Sequence, residues 1–276
     1  MFYYPLVARP FRHSDSYREL LPSPALRPYI RCFWGGMDEP AQEGNDGAVI
    51  PDTCVDLIYH INESDGSLYG GFAGISDHVI RAHAARGEGN FSTFGIRFYA
   101  WSACCFAEDA LSGTLNGHLE AGDRFPGLDE QLLRALPHLP TLEARAAFAE
   151  RLLLEHLASH RKQPLLDEAV ARILQGRGSL DIARLAREMY ISTRQLERIF
   201  QASVGTSPKR LSGLIRYQMV WQDALRAQQL DLPELVVKYG FTDEAHLMHE
   251  FKRYHDLDLR TARRLALENV GNIQDR

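Results

Sequence analysis

Arg194, Glu197 and Arg198 lie within Ser192-Thr193-Arg194-Gln195-Leu196-Glu197-Arg198-Ile199-Phe200, at the spacing that gathers side chains on one face of a helix. Their chemistry suits base-edge reading. An arginine can donate two hydrogen bonds to guanine O6 and N7, and a glutamate can accept one from cytosine N4. Thr193 and Gln201 complete the outward set, while Leu196 and Phe200 supply an apolar stripe on the other side. A diverged copy, Asp243-Glu244-Ala245-His246-Leu247-Met248-His249-Glu250-Phe251, repeats the Leu and Phe at an offset of 51 residues. Its outward positions are Glu244, Ala245, His246, Met248 and His249, and phosphates would repel the carboxylates. The first copy is therefore expected to read bases. The second is expected to position the duplex through Lys252, Arg253 or protonated His246 and His249, with packing an equal alternative for His246.

The elements that must carry these side chains follow from local signals. Ser192 is a good N-cap with Ile191 before it as a staple, so one helix should begin there. Upstream, Leu185-Ala186 matches Leu235-Val236, and turns at Tyr190 and Gly240 separate each pair from its outward-facing helix. A helix, a short turn and a second helix make a helix-turn-helix, and the pattern occurs twice. Between the units, Pro208 to Ala227 reads as one helix, with Leu211, Leu214, Ile215, Val220 and Ala224 at helical spacing. At 1.5 Å per residue it would span about 28 Å. That is enough to hold two recognition helices about one turn of DNA, ~34 Å, apart. Lys209, Arg210 and Arg216 near its start suit phosphates, and solvated surface charge accounts for any one of them equally well.

Residues 164 to 267 resemble the DNA-binding domain of the AraC/XylS family of bacterial transcription regulators. The resemblance is carried by Ser179 to Ala186, Ile191-Ser192 with Leu196, Arg198, Ile199 and Phe200, then Thr206-Ser207-Pro208, and Gly240-Phe241-Thr242-Asp243 with His246 and Phe251-Lys252-Arg253. It implies that Thr193, Arg194, Glu197, Arg198, Gln201, Lys209, Arg210, Glu244, His246, His249, Lys252 and Arg253 face double-stranded promoter DNA. His249 stands where the family usually has Arg, and Asp258-Leu259 where it usually has Thr-Pro or Ser-Pro. These departures touch the DNA contacts of the second unit rather than its fold.

Charge divides the chain the same way. Residues 1–160 hold 12 Lys and Arg against 21 Asp and Glu, whereas residues 161–267 hold 18 against 13. The basic half coincides with the paired motif, and the acidic half would be repelled by phosphates. A length of 276 residues allows two domains, and no apolar run approaches the ~18 residues of a membrane span. A soluble cytoplasmic protein is expected, with residues 1–160 regulatory, 161–267 DNA-binding and 268–276 a tail.

Strand-like runs at Ile30 to Trp34, Ala48 to Ile50, Val55 to Ile61, Ser67 to Phe72, His78 to Ala84 and Ser92 to Phe98 predict a small cupin-like β-sandwich or half-barrel over 1–110. Turns at Asn45-Asp46-Gly47 and Ser64-Asp65-Gly66 punctuate it, and helices over 101–112, 128–136 and 141–160 follow. The whole chain is thus expected to be α+β. Phe33-Trp34, Val49 to Asp52 with Cys54 to Ile58, and Phe94 to Phe98 resemble an N-terminal domain of uncharacterised role found on some AraC-like regulators. Alternation sets Asp56 and His60 on one face, and with Arg97 they could orient a small-molecule effector. Solvent exposure or a structural ion pair is the stronger reading for any one of the three.

Cys32, Cys54, Cys104 and Cys105 form no C-x-x-C pair, and no metal, cofactor or catalytic machinery is expected. The competing reading is a cysteine-based sensor, repair or transfer activity coupled to DNA binding. A regulator switched by a partner protein or by abundance alone is a third. RNA polymerase and a second copy of the chain complete the expected partners.

Overall fold

The computed structural model describes Tyr3, Pro5 and residues 17–37, 47–82, 91–159 and 163–274. Alternating runs become the strands β1 (Arg18–Leu20), β2 (Ile30–Met37), β3 (Gly47–Val49), β4 (Cys54–Asn62), β5 (Leu68–Ala73), β6 (Ile80–Ala82), β7 (Phe91–Tyr99) and β8 (His118–Glu120). Six of them form an antiparallel sheet in the order β1-β2-β7-β4-β5-β8, and β3 pairs with β6 as a separate ribbon. On one face Phe33, Leu57, Tyr59, Phe72, Phe94, Ile96 and Phe98 are buried. Phe125 stacks on Phe98 there and meets Phe72 at a tilt. Helices α1 (Pro126–Ala135) and α2 (Leu142–Ser159) pack against β5 and β2 respectively. Thr141 caps α2 by accepting the Ala144 N–H at 3.2 Å.

The expected helix over 101–112 is replaced by a one-turn 3-10 helix, Ala103–Cys105, and an irregular descent. The cause is tertiary. The Leu111 N–H donates to the Ala202 carbonyl at 2.8 Å instead of to a carbonyl one turn back, and Gly113 and Asn116 adopt positive φ. β1 and β8, three-residue edge strands, are too short to leave a periodic signal. Asn45 and Asp46 of the expected turn, the end of the expected 78–84 strand and the boundary at 160–161 lie outside the described residues.

The helical part contains α3 (Pro164–Gln175), α4 (Ile182–Glu188), α5 (Thr193–Val204), α6 (Pro208–Arg226), α7 (Leu232–Tyr239), α8 (Glu244–His255) and α9 (Leu259–Gln274). The chain is thus α+β, and α9 continues helically through 268–274, the segment expected as a tail. Side-chain caps set the helix starts. Ser192 accepts from the Gln195 N–H at 3.1 Å, Ser207 from Arg210 at 3.1 Å, Asp243 from His246 at 2.7 Å and Asp258 from Thr261 at 3.0 Å. Asp258 thereby supplies the cap at the site of a family departure. The turns close through left-handed residues, Tyr190 at φ 57° and Gly240 at φ 65°. Among the described residues, no helix is long and apolar enough to cross a membrane.

The two parts meet in a packed seam. Besides the Leu111 to Ala202 bond, Ser112 Oγ donates to the Gln201 carbonyl at 3.1 Å. Gln218 Nε2 donates to the Pro51 carbonyl at 2.7 Å, and Arg210 Nε pairs with Asp77 at 3.1 Å.

Candidate functional site

The paired helices α5 and α8 rest on the same apolar arrangement. Leu196 and Phe200 are fully buried under α5, as are Leu247 and Phe251 under α8. What the two helices present outward differs. On α5, Thr193, Arg194, Arg198 and Gln201 are exposed and Glu197 is half-buried. Arg194, Glu197 and Arg198 form no ion pair with any described residue.

On α8, Glu244, His249, Lys252 and Arg253 are exposed, but His246 is engaged. Its Nδ1 lies 3.1 Å from Thr242 Oγ1, and its ring sits edge-on to Phe241 at 5.3 Å. His246 therefore stitches the turn before its own helix. Glu250 pairs with Arg216, whose guanidinium lies over the Phe241 ring at 4.4 Å, so both charges serve the joint between α6 and α8. Lys209 is exposed at the start of α6, whereas Arg210 is bound to Asp77 of the sheet part. A cleft of about 380 Å³ between the two units is lined by Ser179, Ser207, Lys209, Arg210, Arg216 and Arg253, among others. At the C-terminal end of α8, His255 is packed against Trp221 and Phe251 and bonds to the Tyr217 hydroxyl at 2.7 Å. Burial lowers its pKa to about 4.

The second candidate site lies on the sheet face opposite the phenylalanine core. Strand register aligns Cys32, Arg97 and Asp56 in one row across β2, β7 and β4. Arg97 Nε and Nη2 bond to the two Asp56 carboxylate oxygens at 2.9 and 3.1 Å, and Trp34 Nε1 donates to Asp56 Oδ1 at 2.7 Å. Arg97 is 7% exposed, and its Nη1 has no hydrogen-bond partner among the described residues. Asp52, nearby, has its pKa raised to about 6 by burial, partly offset by the Arg97 charge. Burial likewise pushes the Cys32 thiol up to about 12. His60 shares the face, one full strand segment away, where it stacks on Tyr69 at 4.8 Å and bonds to Thr93 Oγ1 at 3.2 Å. Asp56 and Arg97 are brought together and His60 is not. Alternation in β4 could reveal the shared face, but Trp34 as a third member depends on cross-strand register, which no local pattern encodes.

Residues 185–265 match the family model of a helix-turn-helix domain, and residues 18–120 match that of a domain of unknown function, DUF6597. A probable thc operon regulatory protein of Rhodococcus erythropolis is 31% identical over 117 residues, covering 40% of this chain and 31% of that protein. The chain thus spans under a third of that relative's length. A transcriptional regulator with an AraC-type DNA-binding domain from Chromobacterium violaceum aligns in structure with a TM-score of 0.35 at 24% identity, over 38% of this chain and 93% of that one. ToxT from Vibrio cholerae aligns at a TM-score of 0.37 and 10% identity, over 82% and 95%.

Proposed function

We propose, from the premise that this chain carries an AraC-type helix-turn-helix domain at its C-terminal end, that it is a sequence-specific regulator of transcription. The observation that carries this reading is the outward face of α5. Two arginines and a glutamate with no ion partner among the described residues stand on a helix whose other face is fully buried. Lys209, Lys252 and Arg253 supply phosphate contacts, and Glu244, His246 and His249 line the weaker second helix.

In this reading residues 1–160 regulate and residues 161–267 bind promoter DNA. The effector is a small molecule with an acceptor oxygen, received beside the Asp56, Trp34 and Arg97 group, where a buried guanidinium nitrogen has no hydrogen-bond partner among the described residues. A homodimer and contact with RNA polymerase belong to the same reading, as does action in the cytoplasm. Titration of the full chain with duplexes from its own promoter region, over a series of salt concentrations, tests it. Binding should weaken steeply as salt rises, and salt-insensitive or absent binding to every fragment would overturn the reading.

A further inference from the structure

Four thiols are present, and the structure separates them into two kinds. Cys32 and Cys54 are buried within the sheet part at 0% and 4% exposure. Cys104 and Cys105 are free, partly exposed and adjacent on the one-turn 3-10 helix that follows β7. Successive residues of a 3-10 turn advance by a third of a revolution, so neighbouring side chains can share a side of the backbone, whereas in a strand they would point apart. Here they do share it. The Cys104 thiol donates to the Trp101 carbonyl at 3.6 Å, and its electrostatic neighbours include the Cys105 sulfur and Ser203, near the C-terminal end of α5. The one-turn helix packs directly on α5, beside the Leu111 to Ala202 and Ser112 to Gln201 bonds.

The two sulfurs are chemically unequal. The hydrogen bond from Cys104 holds the Cys105 thiol below its ordinary pKa, while that same bond, with burial, pushes Cys104 up. Cys105 is therefore the first nucleophile and Cys104 the second.

We propose that Cys104 and Cys105 form a dithiol site for a soft trivalent metalloid, an arsenic(III) species above all, and that its occupation alters how α5 is held against the sheet part. The donor set selects this class. Thiolates favour soft ions, and among the described residues no group of three His, Cys, Asp or Glu exists to complete a zinc site. Two-coordinate copper(I) favours sulfurs on opposite sides of the ion, which two successive cysteines of a single short turn do not offer. A pyramidal trivalent centre takes two neighbouring sulfurs and keeps its third substituent outside. With a phenylarsenic(III) dihydroxide, two As–O bonds break and two As–S bonds form. Both thiol protons leave with the hydroxyls as two waters, and arsenic remains trivalent, so no oxidant or reductant is needed. Occupation takes the Cys104 thiol from the Trp101 carbonyl, on the one-turn helix that packs against α5. The predicted consequence for DNA rests on the proposed regulator function; the binding chemistry does not.

The test uses the full chain and phenylarsine oxide, read by intact mass and by DNA titration. One adduct per chain should form at stoichiometric reagent, be removed by a dithiol such as dimercaptopropanol and survive an equal thiol concentration of glutathione. Cys104→Ser and Cys105→Ser should each abolish the glutathione-resistant adduct. No adduct on the native chain, or a resistant adduct persisting in both variants, would overturn the site. DNA affinity of the native chain should change at least about fivefold on loading, the lower end of ordinary coupling between sites. The variants should not respond. A full adduct with unchanged affinity would overturn the coupling alone, and absence of DNA binding with and without reagent would instead count against the regulator reading.

Discussion

The two helix-turn-helix units share a fold and differ in what their second helices leave unspent. Both α5 and α8 begin at a side-chain cap and bury a Leu and a Phe four residues apart. The first keeps Arg194, Glu197 and Arg198 outside any ion pair with the described residues. The second has turned polar groups inward, with His246 tied to Thr242 and Glu250 to Arg216. Apolar pattern and capping are enough to make the motif, and reading capacity depends on which polar side chains remain unengaged once it has formed.

The shared part of the comparison is broken or upheld by core deletions. Phe200→Ala and Phe251→Ala should each cost about 3–5 kcal/mol, since both rings are buried in similar apolar settings. Urea unfolding of each variant checks this, and a loss confined to one unit would mean that the repeats are not equivalent in packing.

One pH effect belongs to the second unit. His255 is held neutral by burial, with a folded pKa of about 4 against an ordinary 6.5. Between those values the unfolded chain binds a proton that the folded chain refuses, so stability falls as pH drops from 6.5 towards 4. The slope approaches ~1.4 kcal/mol per pH unit at full effect. His255→Gln should lessen the loss of melting temperature on acidification over that window, and an unchanged pH profile would contradict the assignment.

The divergent part is tested on DNA. Arg198→Ala should lose about 1–3 kcal/mol of specific affinity in titrations at fixed salt, and His249→Ala less. Equal losses would erase the asymmetry. Smallest of all, Ser192→Ala and Asp243→Ala should each reduce stability by about 1 kcal/mol, because each removes one capping acceptor. Thermal unfolding of the two variants should give similar shifts.

Much of this organisation is legible in the sequence because it is locally determined. Ser192 announces a helix start by chemistry, and Leu196, Phe200, Leu247 and Phe251 announce the buried stripe by spacing. The alternation in β4 and β7 likewise marks the sheet. What is not legible depends on partners distant in the chain. The residues around 101–112 carry helical apolar spacing, yet Ala202 takes the Leu111 N–H and the helix stops after one turn. Arg210 reads as a phosphate ligand beside Lys209, but only the docked sheet part shows that Asp77 already holds it. Asp56, His60 and Arg97 read as a set that could orient an effector or close structural ion pairs, and strand register makes a bidentate pair of Asp56 and Arg97 alone.

The central claim is that the first unit reads sequence and the second mainly positions it. Selection of bound duplexes from a random pool, run in parallel with the native chain and Arg198→Ala, tests it most directly. The native chain should enrich a site whose strongest base preferences lie in one major-groove segment. Arg198→Ala should flatten preferences there while leaving the adjoining segment and the overall salt dependence largely intact. Equal preferences in both segments, or a loss of preference spread evenly over the whole site, would contradict the account.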